Sequence, residues 1–253
     1  MLIDSEDIRS QFTENLQKLM GYIMSRFPGV PLIFVDKKEC KENLGIPFSE
    51  EGNACCFTKE GNMYVALKEL DSLLAKEPDI AHELGHFWLE SHGFPRRLQV
   101  PFKTKDEKER DYYFARLHEI MEHAIIYPWL KDNYSFDLYI IGTNRLVEFL
   151  RNELPKLSNE YSIYKYPLQK VTLIIYYLKY DTESDDRGLQ DRLEKAYSKS
   201  TLVEMRYIAK RVLKIIRGLS NQEPDPKCFK EKYCEVLKTI GIDKQFWPEY
   251  MQD

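Results

Sequence analysis

Apolar positions recur along the chain with a period of about 3.6 residues in some stretches and of two in others, and the switches between the two mark out its elements. Residues 5–27 set Ile8, Phe12, Leu16, Leu19, Met20, Ile23 and Met24 on one helical stripe, which Pro28 and Gly29 close. Pro31–Val35 is a short apolar run rich in strand formers. Ala54–Thr58 and Met63–Leu67 flank the polar Lys59–Asn62, and together they predict a hairpin. A helix is predicted through Leu70, Leu73 and Leu74. Another starts near Pro78, which suits a first turn, and runs to about His92, where Gly93–Pro95 stops it. The next spans about Asp106 to Tyr127 and ends before Pro128.

Beyond residue 135 the pattern is helical almost throughout, at 143–154, 166–180, 187–197, 201–218 and 226–240. The polar, cation-bearing stretch between Pro95 and Asp111 reads as a solvated connection, with a lid over a cleft as the functional alternative. The acidic run Asp181–Asp186 lacks the Gly and closing Glu of an EF-hand loop and reads as solvated surface. The expected fold class is α+β. A small catalytic-type unit with a short antiparallel or mixed sheet, residues 1–135, is followed by a mainly helical extension, residues 136–253.

Composition narrows the functional classes. The 253 residues carry 37 Lys plus Arg against 41 Asp plus Glu, a net charge of −4, with 43% hydrophobic and 31% charged residues. That balance is ordinary for a globular chain and offers no basic footprint, so direct nucleic-acid binding is not expected. The longest strongly apolar run, Val171–Leu178, falls far short of the roughly 20 residues a bilayer span needs, so no membrane partner is expected. The first residues are acidic where a signal peptide would be basic. Five cysteines without Cys-x-x-Cys spacing suit reduced thiols, and the expected location is cytoplasmic.

The chemistry is concentrated in His82-Glu83-Leu84-Gly85-His86, inside the helix predicted from Pro78. Histidines four apart on a helix differ by about 40° in direction, so both imidazoles can reach one metal ion from successive turns. Glu83 points to the side of the same face, within reach of a proton on the water that such a metal would acidify. The pattern therefore predicts bound zinc, Zn2+, with His82 and His86 as ligands and Glu83 as general base. Asp79, three before His82, is a candidate supporting partner, although a first-turn acid is also favoured by the helix dipole alone.

A catalytic zinc needs a third protein ligand. His92 has the six-residue spacing of the metzincin pattern, but Leu89 stands where that pattern has its turning glycine, and a continuing helix carries His92 to another face. The stretch Leu117–Ala124 offers His118, Glu119, Glu122 and His123. With Tyr113, Phe114, Leu117, Ile120, Met121 and Ala124 taken as the apolar side, Glu119 points away and Glu122 lies nearer the margin. Glu122 is the preferred third ligand, with Glu119 and His92 as alternatives, and His118 and His123 as partners that orient a ligand from behind.

The short His-Glu-Leu-Gly-His helix, preceded by a strand hairpin and followed by a Glu-bearing helix, resembles the gluzincin branch of the zincin metallopeptidases. More narrowly, Ala81–His86 and Glu122–Pro128 are similar to ImmA/IrrE-type proteins, over about residues 30–130. That resemblance implies a zincin-like catalytic domain. It also implies an intracellular zinc peptidase with His82 and His86 as ligands, Glu83 as base and a Glu of the next helix as third ligand. The Glu-x-Glu-Ala-Asn-type sequence of that family is not matched cleanly, which keeps Glu119 and Glu122 both open. No helix-turn-helix signature accompanies it.

The expected function is a zinc-dependent intracellular endopeptidase (a hydrolase) acting on a protein or peptide substrate, with a regulatory setting as one form of it. The alternative is a zincin-fold binding or regulatory module without proteolytic activity. Met63–Leu67, the last strand before the motif helix, is the candidate edge strand for substrate. Substrate-binding residues and oligomeric state are not specified by the sequence.

Overall fold

The structure, a computed structural model, describes residues 2–46, 54–70, 76–95, 105–139, 147–157, 167–184, 186–198, 202–219, 223–242 and 247. The fold is α+β, with a four-stranded mixed sheet and a helical C-terminal region. It divides into two compact units, Met1–Gly93 with Pro128–Asp137, and Phe94–Tyr127 with Leu138–Asp253.

In the first unit the strands are β1 (Leu2–Asp4), β2 (Leu32–Asp36), β3 (Ala54–Lys59) and β4 (Asn62–Leu67), in spatial order β1-β2-β4-β3. β2 and β4 run parallel, with Leu32 opposite Met63 and Val35 opposite Ala66, while the outer pairs are antiparallel. The β3–β4 hairpin turns at Glu60 and Gly61, with φ of 51° and 79°. Two successive left-handed residues match the twist of the strands, and glycine takes such a φ without steric cost. The expectation that Met63–Leu67 is an edge strand is overturned. β4 is paired on both sides, and the edge next to it is β3.

Alternation divides the sheet into two faces. Val35, Tyr64 and Ala66 lie on one, where Cys40 of α3 (Lys37–Glu42) completes a buried cluster joined by Ile33, Leu44, Ile46, Cys55 and Phe57. Leu32, Phe34, Met63 and Val65 lie on the other, with Phe12 against Phe34 at 5.9 Å. The predicted first helix is interrupted. α1 (Ser5–Ile8) and a 3-10 turn precede α2 (Glu14–Arg26), because Phe12 takes an extended conformation and turns inward. α2 packs on α4 (Glu77–Ser91), with Phe27 against Phe87.

α5 (Lys105–Tyr134) does not stop at Tyr127 but passes through Pro128. A proline inside a helix costs about 3 kcal/mol through the lost hydrogen bond and the ring clash. Downstream burial offsets that cost: Leu130 is fully enclosed, and Trp129 stacks face to face on Trp88 with centroids 3.8 Å apart. Each is worth on the order of 1–3 kcal/mol.

In the second unit a π turn at Phe149–Glu153 leads into α6 (Leu154–Leu157). It is followed by α7 (Pro167–Glu183), α8 (Arg187–Tyr197), α9 (Val203–Arg217) and α10 (Pro226–Ile240). Leu173, Ile174 and Leu178 of α7 meet a core built from Leu193, Tyr197, Ala209, Val212 and Ile216. α8 and α10 start where predicted, after Asp186 and Asp225, whose carboxylates cap the backbone N–H groups of Leu189 and Lys227. α7 continues through Glu183, so the acidic run is partly helical rather than wholly a loop. Of the helix expected through Leu70–Leu74 and of the 95–111 connection, residues 71–75 and 96–104 lie outside the described residues.

Candidate metal centre

α4 carries the His-Glu-x-x-His residues. Pro78 occupies its first turn and Glu77 and Asp79 supply acids there, both favourable at a helix N-terminus. Ile80, Ala81, Leu84, Phe87 and Leu89 are fully buried and fix the helix's rotation, which sets His82 and His86 on its partly exposed side. Their Nε2 atoms stand 3.2 Å apart, with the rings edge to face. A tetrahedral zinc with Zn–N bonds of about 2.0–2.1 Å holds its nitrogens about 3.3–3.4 Å apart. The pair therefore already has the spacing of two ligands on one ion.

Glu83 is 7% exposed, and its Oε1 lies 3.9 Å from His82 Nε2. Its charge reaches the edge strand. The Cys55 thiol is pushed well above its ordinary value, first by its hydrogen bond to Cys40, then by burial and by the carboxylate of Glu83. Asp79 is partly buried in the first turn of α4. His92 caps the helix end, its Nδ1 2.9 Å from the Trp88 carbonyl oxygen and its ring against the Trp88 indole. Gly93, at φ 83°, follows in the left-handed conformation that ends a helix.

On α5, His118 and His123 are 1% and 2% exposed. His118 sits edge-on to Phe229 and Tyr233, and its Nε2 lies 3.1 Å from Glu122 Oε1. Glu119 accepts a 2.7 Å hydrogen bond from Arg116 Nη1, and its other oxygen lies 4.0 Å from His123 Nε2. His123 also stacks on Tyr127, at 4.8 Å between centroids.

Among the described residues one group of side chains has the closeness a metal ion needs: His82, His86 and His123, whose ligating atoms all lie within 4.8 Å of one another. Three neutral imidazoles suit zinc and other borderline divalent ions better than calcium or magnesium, which prefer oxygen. The donor set thus fits the metal that the motif predicts. Glu122, Glu119 and His92 are outside this group, and His123, read from sequence as a supporting residue, is inside it.

Residues 46–137 match the family described as the IrrE N-terminal-like domain, a peptidase family. The match covers the hairpin, the motif helix and all of α5, and ends at Asp137. Over that span the chain is similar to the IrrE N-terminal-like domain. The resemblance to ImmA/IrrE-type proteins stands on this, and the rest of the chain lies outside the matched span. Comparison with curated proteins and with solved structures gives no match. No helix among the described residues is long and apolar enough to cross a membrane.

Proposed function

We propose that the chain is a zinc-dependent intracellular endopeptidase that cleaves a protein substrate. The observation that carries this reading is the gathering of His82, His86 and His123 within 4.8 Å, beside a buried Glu83, inside a peptidase-family domain. In this reading the three imidazoles hold the ion. Zinc bound there would polarise a peptide carbonyl and acidify a water molecule. Glu83 does the proton work: its carboxylate takes a proton from the attacking water and delivers it to the departing amide nitrogen.

The test uses the full chain and its Glu83→Gln variant. Both should contain about one zinc per chain after purification without chelator. The variant should lose roughly two to four orders of magnitude of hydrolysis, read as cleaved peptides in a lysate exposed to each protein. Identical cleavage patterns from both would remove Glu83 as the base. A parent protein that takes up no transition metal would end the zinc reading. Metal-loaded proteins that cleave nothing would favour a binding module.

A further inference from the structure

Two thiols that the proposed chemistry does not use meet on the other face of the sheet from Phe34. Cys40 projects from α3 into the cluster of Val35, Tyr64 and Ala66, and is fully buried. Cys55 enters the same cluster from β3 and is partly exposed. Register places it there: Cys55 is opposite Ala66, and Ala66 is opposite Val35, so all three lie in one row across the sheet. Within that cluster the two thiols are close enough to shift each other's ionisation, and the Cys40 thiol is aimed at the Ile46 carbonyl oxygen, 3.6 Å away.

We propose that Cys40 and Cys55 are a modification site: a dithiol that closes to a reversible disulfide by exchange with a low-molecular-weight disulfide such as oxidised glutathione. The step balances. Cys55, the more accessible thiol, loses its proton and attacks one sulfur of the reagent, forming a mixed disulfide and releasing one reagent thiolate. Cys40, already in contact, then attacks the Cys55 sulfur as thiolate and expels the second. The two protons given up by the cysteines go to the two released thiolates, so two protein thiols are oxidised and one reagent disulfide is reduced.

The order of attack follows from the site. Cys55 is partly exposed and can meet the reagent, whereas Cys40 is fully buried and is reached only by the sulfur of Cys55, so Cys55 attacks first and Cys40 resolves. The closed bond ties α3 to the strand at the sheet edge. It does not depend on the identity of a substrate.

The experiment treats the full chain, at a concentration low enough to suppress dimers, with oxidised glutathione. After acid quench and alkylation, intact mass and peptide mapping are read. The expected product has lost two hydrogen atoms, carries no glutathione, links the Cys40 and Cys55 peptides, and reverts with dithiothreitol. Cys40→Ala, apolar enough for the cluster, should instead retain one glutathione on Cys55 because no resolving thiol remains. Should the parent stay fully reduced under conditions that load Cys55 in that variant, or link Cys55 to Cys56, the proposal fails. Should Cys40→Ala not fold, the mass and linkage of the parent product still decide the matter.

Discussion

Glu77 receives both donors of Thr13: the backbone N–H at 2.8 Å and the hydroxyl at 2.6 Å. Thr13 is the N-cap residue of α2, yet its hydroxyl is turned away from that helix toward the first residue of α4. One buried carboxylate thus joins the starts of two helices, one of which presents the metal motif. Glu77→Ala would leave two donors without this acceptor in a largely dry setting. The expected cost is about 1.5–3 kcal/mol, as for lost hydrogen bonds to a charged group. Thr13→Val, which keeps the N–H bond, should cost less. Urea midpoints for the two variants check the order, and a larger loss from Thr13→Val would contradict it.

The Trp88–Trp129 stack makes a second prediction. The pair lies nearly parallel, and Tyr22 and Tyr134 flank Trp129 with centroids at 6.2 and 5.2 Å. If this packing offsets the proline, Trp129→Ala should free the last turns of α5 while the body of the sheet stays intact. Hydrogen exchange resolved by residue should show lost protection at 130–134, with β2 and β4 near parental values. Unchanged protection there would mean that Leu130 alone carries the helix past Pro128.

Acid sensitivity should appear in the second unit through Glu194. Burial opposes its charge, but hydrogen bonds from Tyr177, Lys210 and Arg206 outweigh that and hold its carboxyl below the ordinary carboxylate range. A folded-state value below the unfolded one stabilises at pH above the unfolded value, about 4.3. That stability is lost as pH falls through the folded value. Tyr177 is the mirror case, raised by burial and by the same Glu194, so its contribution is lost only at strongly alkaline pH. Urea unfolding between pH 3 and pH 7 should show Glu194→Gln less stable than the parent at neutrality and converging on it in acid. A constant difference across that range would refute the linkage.

The elements legible in the sequence were those whose signals are local. α8 and α10 combine helical apolar spacing with an Asp cap, and their limits match the predicted 187–197 and 226–240. The hairpin was legible because Glu60-Gly61 fits the left-handed turn that two short strands require. Pro128 misled because its local penalty is met by the stacking of Trp129 on Trp88, forty-one positions earlier in the chain. β1 pairs only three residues with β2, too few for alternation to register. Its pairing partner, not its own pattern, defines it.

The sequence reading sets Glu122 ahead of His123 as third ligand, and the same helical wheel contains a physical reason to weigh His123 more heavily. At about 100° per residue, His118 and His123 flank the apolar arc of α5 on its two sides, each nearer to it than Glu119 or Glu122. Treating histidine as polar narrowed the buried arc to its aliphatic and aromatic members, whereas both histidines are at least as enclosed as several of those. The last prediction is therefore a ranking. His123→Ala should lower zinc affinity far more than Glu122→Ala, because Glu122 is engaged with His118 and His123 stands in the three-imidazole group. Glu119→Ala should fall between them, at about 10–100-fold, the range for a residue that orients a ligand. Competition titration against a chromophoric chelator reads all three. If Glu122→Ala loses most of the affinity while His123→Ala keeps it, the third ligand is the glutamate and His123 only supports it.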